Sequence, residues 1–451
     1  MWPLLEGRSC GSLDADPRHI ITSAMPATVQ DRLFAASPID PEGALDNSTV
    51  FTPNMRLAVH RWFRYSAGFS AAWAERVIRE RQAEVGDVVV LDPFVGSGTT
   101  LIASQMAGIP SFGLESHPLV TRVAEAKLAW RASAEDFEER TAKVLATTKP
   151  TEWANPPALL AKIYPAETLG RLLGLRRSVE INQKGDDVDH LLWLALVAIL
   201  RVCSPAGTAP WQYVLPKKTK ANAAEPLTAF EAQARAMVAD MRYMPRDVAP
   251  AALFHEDARS AASIPDDTID LIVTSPPYPN NYDYADATRI EMTFLGEIEC
   301  WGDLQLAVRA HLVRSCSQHM VRYDPEEALE APELALIRDE LHDVYDRLTA
   351  ERDKHGGRKA YNAMVVAYFH DLARAWLALR RVCRHGSRAL FIVGDSAPYA
   401  VHVPVERWLG ELAVGAGFDS WQFEKLRDRN IKWKNRKHRV PLHEGLLTVD
   451  G

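Results

Sequence analysis

The chain has 451 residues, 25% of them charged, and a formal net charge of -7, an ordinary globular composition too long for one simple domain; a core with insertions, or two to three lobes, is expected. No uninterrupted apolar run reaches the roughly 18 residues of a membrane span, and the start, with Glu6, Arg8, Asp14 and Asp16, lacks the apolar core of a signal peptide, so the expectation is a soluble cytoplasmic protein. The cysteines (Cys10, Cys203, Cys300, Cys316, Cys383) form no CxxC pair and no zinc spacing, which predicts reduced structural thiols and no metal.

Residues 1–50 mix Pro, Gly, Asp and Ser with little periodicity and read as a loosely ordered arm. From Met55 to Glu84 apolar and aromatic positions recur at helical spacing, with Ser70 as the expected N-cap of a helix through Trp73, Val77 and Ile78. Asp87 to Leu91 is a buried-type strand that runs into the Gly-rich turn Asp92-Pro93-Phe94-Val95-Gly96-Ser97-Gly98-Thr99-Thr100, and Thr99 to Ala107 follows as a helix. That order is one unit of a doubly wound α/β fold.

A second strand, Ser111 to Glu115, ends in an acid. Residues 119–250 are dominated by helical periodicity, for example Leu191 to Val202, with a Pro/Gly-rich break near Pro205 to Pro216. The α/β pattern resumes with Leu253 to Asp257 and with Ile269 to Val273, which feeds Thr274-Ser275-Pro276-Pro277-Tyr278. A second helical interval, about Leu295 to Glu351, precedes a strand at Arg388 to Val393. Ser420 to Lys425 and Gly445 to Val449 read as two antiparallel strands joined by a basic loop. The implied organisation is an arm (1–50), a cofactor half (51–118), a helical insertion suited to target recognition (119–250), a catalytic half (251–295), a second helical insertion (296–360) and a C-terminal part of the core (361–451).

A Gly-x-Gly turn after a buried strand lets the backbone approach a ligand and places helix N–H groups at its mouth. The spacing lacks the Lys-Ser/Thr of a phosphate-binding loop and the third Gly of a dinucleotide fingerprint, so a nucleoside ligand without pyrophosphate fits better. Glu115 is placed to accept from ribose hydroxyls, and Asp257 is a candidate acceptor for an adenine amino group. The competing reading is that the glycines only turn the chain and Glu115 caps a helix. In Ser275-Pro276-Pro277-Tyr278 two prolines leave rigid, acceptor-only carbonyls. An exocyclic amine can then donate to the Ser275 side chain and to the Pro276 carbonyl while Tyr278 stacks on the ring, although such a tetrapeptide elsewhere is an ordinary turn.

With both motifs in view, the chain resembles the S-adenosylmethionine-dependent DNA amino-methyltransferases, over roughly residues 51–118, 251–295 and 385–450. The resemblance implies a Rossmann-like class I α/β fold, S-adenosylmethionine as cofactor and double-stranded DNA as partner, with separate restriction or other defence proteins as candidate companions. It implies cofactor contacts from Asp92, Pro93, Phe94, Gly96, Gly98, Thr99, Glu115 and Asp257. Thr52 belongs, with His60 to Phe63 and Phe69-Ser70, to a segment similar to one that closes over the methionine end. Ser275, Pro276, Pro277 and Tyr278 would be catalytic, and Ser in place of an acid is the form typical of the N4-cytosine enzymes rather than the N6-adenine ones. Here the cofactor half precedes the clamp, whereas enzymes with this cofactor motif often have the reverse order.

No Pro-Cys pair occurs, which argues against the covalent mechanism of cytosine C5 methylation. Tyr282 and Tyr284 either line the base pocket or simply pack, and Asp283 or Asp286 could relay a proton. Lys425 to Arg439 holds eight Lys/Arg against one Asp; Lys425, Arg427, Lys432, Lys434, Arg436, Lys437 and Arg439 are the candidate phosphate contacts, with a merely solvated face as the bland alternative. Lys217, Lys218 and Lys220, beside Trp211 and Tyr213, form a second candidate region. The alternatives kept are an N6-adenine enzyme, an RNA or protein amine methyltransferase, and a non-catalytic nucleic-acid-binding module.

Overall fold

A computed structural model describes residues 51–65, 68–208, 213–220, 222–320, 323–357, 359–429 and 440–451. The N-terminal arm, Trp211 and most of the basic stretch, including Lys432, Lys434, Arg436, Lys437 and Arg439, lie outside them. The strands are β1 (Val90–Asp92), β2 (Ser111–Leu114), β3 (Ala206–Thr208), β4 (Val214–Thr219), β5 (Ala251–Phe254), β6 (Ile269–Thr274), β7 (Cys383–Gly394), β8 (Ser420–Arg429) and β9 (Leu442–Asp450). The principal helices are α1 (Ala71–Val85), α2 (Thr99–Ala107), α3 (Pro118–Leu128), α4 (Ala134–Thr147), α5 (Ala166–Ile181), α6 (Asp187–Cys203), α7 (Pro226–Tyr243), α8 (Tyr361–Val382) and α9 (Val405–Gly415).

Among the described residues one seven-stranded sheet runs in the order β5-β2-β1-β6-β7-β9-β8. The first five strands are mutually parallel, and β9 is antiparallel to both neighbours. The architecture is Rossmann-like α/β, as expected. Period-two alternation explains the two covered faces. Val90, Leu271, Val273, Leu390 and Ile392 bury against α1 and α2 through Trp73, Val77, Ile78 and Ala103. Leu91, Ile272, Ala389, Phe391 and Val393 face the other way, into a core with Phe369, Leu372 and Trp376 of α8 and Trp408 of α9. The chain leaves β1 toward β2 on one side and returns in β6 on the other, so the carboxyl ends of β1 and β6 flank the topological switch point, where open α/β sheets bind ligands.

The Ser70 side chain caps α1 by accepting from the Trp73 N–H at 3.3 Å, and α2 occupies the predicted residues. The helical spacing before Ser70 instead produces two 3-10 turns, Thr52–Arg56 and His60–Trp62. The Pro/Gly-rich break contains the antiparallel β3-β4 pair, hidden in the sequence because its strands are short and irregular. The expected basic loop is shorter than predicted at its start, since Lys425 to Arg429 continue β8 alongside β9, with a shift of register between Lys425 and Arg427. Cys203, Cys316 and Cys383 are buried free thiols. No helix among the described residues is long and apolar enough to cross a membrane.

Between β2 and β5, α3 to α7 build a separate helical core around Trp130, Phe137, Leu191, Leu194 and Phe230. Asp240 of α7 ties it to the segment upstream of the sheet: its carboxylate accepts from the Val59 N–H at 3.2 Å, the Arg61 guanidinium at 2.5 and 3.0 Å and the Trp62 indole at 2.8 Å. Arg201 of α6 pairs with the buried Glu291 at 2.6 Å, which anchors the same core to the short helix Arg289–Leu295 downstream of the clamp.

Candidate active site

The Gly-rich loop leaves β1 with Gly96 at φ 53° and Gly98 at φ 89°, left-handed backbone that favours glycine. Gly98 is the N-cap of α2. The Gly96 N–H donates to Oε2 of Glu115 at 2.8 Å, and the His117 N–H donates to Oε1 at 2.8 Å. Each oxygen keeps a lone pair for a further donor. Burial raises the Glu115 carboxyl to about 7, although these N–H groups oppose the shift. Asp92, at the end of β1, is fully buried; burial pushes its carboxyl up to about 6 in spite of the hydrogen bond from Thr274. Its Oδ1 accepts from the Phe94 N–H at 3.0 Å and from the Thr274 hydroxyl at 2.6 Å, and its Oδ2 has no hydrogen-bond partner among the described residues.

Thr274 ends β6, so this hydroxyl joins the two motifs directly. A second link runs from the Thr100 hydroxyl to the Val273 carbonyl at 2.9 Å. Beyond Thr274, Ser275 Oγ donates to the Ile392 carbonyl at 3.1 Å and the Tyr278 hydroxyl donates to the same oxygen at 3.3 Å. One carbonyl at the end of β7 therefore fixes both ends of the clamp. Because the Ser275 hydrogen is committed there, the oxygen presents lone pairs to an incoming amine.

The sequence candidates do not all converge. Asp92 to Thr99, Glu115 and Ser275 to Tyr278 sit around the switch point. Asp257 falls three residues beyond β5, and its carboxylate accepts from the backbone and guanidinium of Arg259, with Nε at 2.8 and 2.9 Å; Arg259 in turn pairs with the buried Asp371 at 2.9 Å. Thr52 is exposed in its 3-10 turn. The residue that stands against the loop is Tyr65, a ring carbon of which would lie 3.1 Å from a Cβ at Gly96. Tyr65 is missed by motif reading because it falls between the matched segments His60 to Phe63 and Phe69-Ser70.

Tyr282 stacks on Tyr213 with centroids 5.5 Å apart and meets Tyr284 edge-on at 4.6 Å. Asp283 caps the helix Tyr284–Ala287 and pairs with buried Arg309 at 2.7 Å. Burial would raise its carboxyl, but the nearby His319 ring and the hydrogen-bonded Arg309 guanidinium outweigh that and hold it at about 2, so its role is structural and it makes a poor proton acceptor. Asp286 pairs with Arg289 at 3.2 Å. Of the basic candidates, Lys425 pairs with Asp428 at 2.5 Å and Arg427 with Glu444 at 2.7 Å. Lys217 and Lys218 are exposed, but Lys220 turns inward and donates to the Arg201 carbonyl at 2.7 Å, which removes it from the second contact region.

Residues 43–126 match the DNA methylase family model. The chain is 26% identical to the type II methyltransferase M.BsoBI of Geobacillus stearothermophilus over 84% of this chain and 82% of that protein. It is 24% identical to the type II methyltransferase M.AvaI of Nostoc sp. over 82% and 81%. A stretch of 70 residues is 39% identical to M.MjaII of Methanocaldococcus jannaschii, covering 16% of this chain and 13% of that one. The fold, the joined motifs and these matches support a site-specific DNA amino-methyltransferase of the N4/N6 type.

The cofactor of such an enzyme is S-adenosylmethionine, and the residues present fit it. The left-handed glycines open the loop to close approach, Glu115 has acceptor capacity for ribose hydroxyls, and the buried Oδ2 of Asp92 calls for a donor such as an ammonium.

Proposed function

We propose that this protein methylates the N4 amino group of cytosine in double-stranded DNA, at a specific site, on a base flipped out of the helix. The observation that carries the reading is the Thr274–Asp92 hydrogen bond, which holds a Ser-Pro-Pro-Tyr clamp against the cofactor loop. Bound S-adenosylmethionine supplies an electrophilic methyl group. Ser275 Oγ and the Pro276 carbonyl accept the two amine hydrogens and so orient the nitrogen lone pair, and Pro277 holds the turn rigid. Tyr278 offers the stacking surface, and the acceptors stabilise the positive charge that develops on nitrogen. Ser rather than an acid at position 275 is what favours cytosine over adenine. Asp92, Pro93, Phe94, Gly96, Gly98, Thr99 and Glu115 would hold the cofactor, with Asp257 and Thr52 at its margins.

The helical core of α3 to α7 is the proposed target-recognition region, since it is anchored beside the clamp through Arg201–Glu291 and has no part in the sheet. Lys425, Arg427, Lys432, Lys434, Arg436, Lys437 and Arg439 would contact phosphates. The type II methyltransferase names of the relatives also favour action beside separate restriction proteins, and the cytoplasm is the proposed location. Nucleoside analysis of DNA from cells expressing the protein tests the base assignment. N4-methyldeoxycytidine is expected; N6-methyldeoxyadenosine alone overturns the cytosine assignment and leaves the reaction class, whereas labelled methyl groups appearing only in RNA or protein overturn DNA as substrate.

A further inference from the structure

Arg429 ends β8, an edge strand two places from β7 in the sheet. Its side chain nevertheless reaches back past β9 to the clamp. Nη1 donates to the Asp395 carbonyl at 2.9 Å, and the guanidinium carbon stands 5.1 Å from the centroid of the Tyr278 ring, within the range of a cation–π contact. Gly394 makes the room: a Cβ there would lie 2.6 Å from Nη1 of Arg429 and 3.2 Å from Cε2 of Tyr278. Tyr278 is held at its far end by the hydroxyl's bond to Ile392. The neighbouring cations of the strand are engaged elsewhere, Arg427 with Glu444 and Lys425 with Asp428.

We propose that Arg429 is a positioning residue for the target base: it covers one face of Tyr278, leaves the other as the stacking surface, and so fixes the side from which the base enters the clamp. The assignment rests on the methyltransferase reading above. A fixed side matters because an in-line transfer loses about 100-fold for a displacement of roughly 1 Å. A planar guanidinium suits the task better than an ammonium, because it lies flat on an aromatic face while its edge hydrogen-bonds a carbonyl.

The test uses the full-length protein, unmethylated plasmid DNA and tritium-labelled S-adenosylmethionine, with kcat, KM for DNA and Kd for the cofactor measured separately. Arg429→Ala is expected to lower kcat by about 10-fold or more while the DNA KM and the cofactor Kd stay near wild type. Arg429→Lys should restore only part of the rate. Gly394→Ala keeps the charge but pushes the guanidinium off the ring and crowds Tyr278 as well, and it should impair kcat in the same direction. Arg429→Ala that raises KM with kcat intact makes Arg429 a phosphate contact and overturns the proposal. So does Gly394→Ala with an unchanged rate, or Arg429→Lys equal to wild type. Should Arg429→Ala lose cofactor binding through misfolding, the other two variants decide. Wild-type protein that binds cofactor but methylates no DNA overturns the underlying reading, whereas active wild type with an unimpaired Arg429→Ala overturns the Arg429 assignment alone.

Discussion

Thr274 donates its hydroxyl hydrogen to Oδ1 of Asp92 at 2.6 Å, across two adjacent parallel strands whose residues are separated by 182 positions in the chain. Both side chains are fully buried, so the bond is shielded from water and its loss would leave a desolvated carboxyl short of a donor. Thr274→Val keeps the shape and removes the donor. We expect a loss of about 1–3 kcal/mol in stability by urea unfolding, together with weaker cofactor binding by calorimetry. Unchanged values in both would show that the bond does not couple the motifs.

Ser275→Ala removes the acceptor assigned to the amine and leaves Pro276, Tyr278 and the cofactor loop in place. Turnover should fall by about 100-fold, the scale of removing one aligned transition-state partner, with cofactor affinity unaltered. A rate within twofold of wild type would remove Ser275 from the chemistry.

Glu115 sets a pH dependence. Its folded carboxyl titrates near 7 because of burial, above the ordinary 4.5, so this group's contribution to stability is full below about 4.5 and lost as pH rises through about 7. The ionised form is the better acceptor for ribose hydroxyls, so cofactor binding should release a proton below pH 7 and tighten up to that point. The rise in Tm on adding S-adenosylmethionine is therefore expected to be larger at pH 8 than at pH 5.5. Glu115→Gln should flatten that difference; a wild-type difference of the opposite sign contradicts the assignment.

Asp240 bonds three groups of the 59–62 segment from the helical insertion. Asp240→Ala strips a nearly buried acceptor from Arg61, Trp62 and the Val59 N–H, at a cost of about 1–3 kcal/mol. Limited proteolysis should then cut first near residues 57–65, and protection equal to wild type would show that the insertion is held by its apolar packing alone.

Neutralising Lys432, Lys434 and Arg436 together is expected to weaken DNA binding across all sequences. It should also reduce the slope of log K against log salt by about 2–3. An unaltered slope would place the phosphate contacts elsewhere.

The parts of the site legible in sequence are those whose chemistry is local. Gly96 and Gly98 advertise a backbone conformation, Pro276 and Pro277 a rigid acceptor pair, and Val90 and Leu91 a buried strand; each depends on a few adjacent residues. Asp257 shows the limit of such reading, since its pattern says acceptor but Arg259, two residues on, fills much of that capacity. Lys220 reads as surface charge and is turned inward by a carbonyl of α6. The β3-β4 pair leaves no mark in the sequence because short irregular strands carry too little periodicity to register.

By itself the sequence determined the α/β class, the Gly96–Gly98 turn after a buried strand and the rigid Ser275–Tyr278 segment, because hydrophobic alternation and turn chemistry are written in consecutive residues. Only the tertiary structure decided that Thr274 reaches Asp92, that the Ile392 carbonyl takes both Ser275 and Tyr278, that Tyr65 faces Gly96 and that Arg429 lies over Tyr278. These contacts join strands and loops far apart in the chain. They follow from strand order and register, which arise from the packing of the whole sheet rather than from any local pattern.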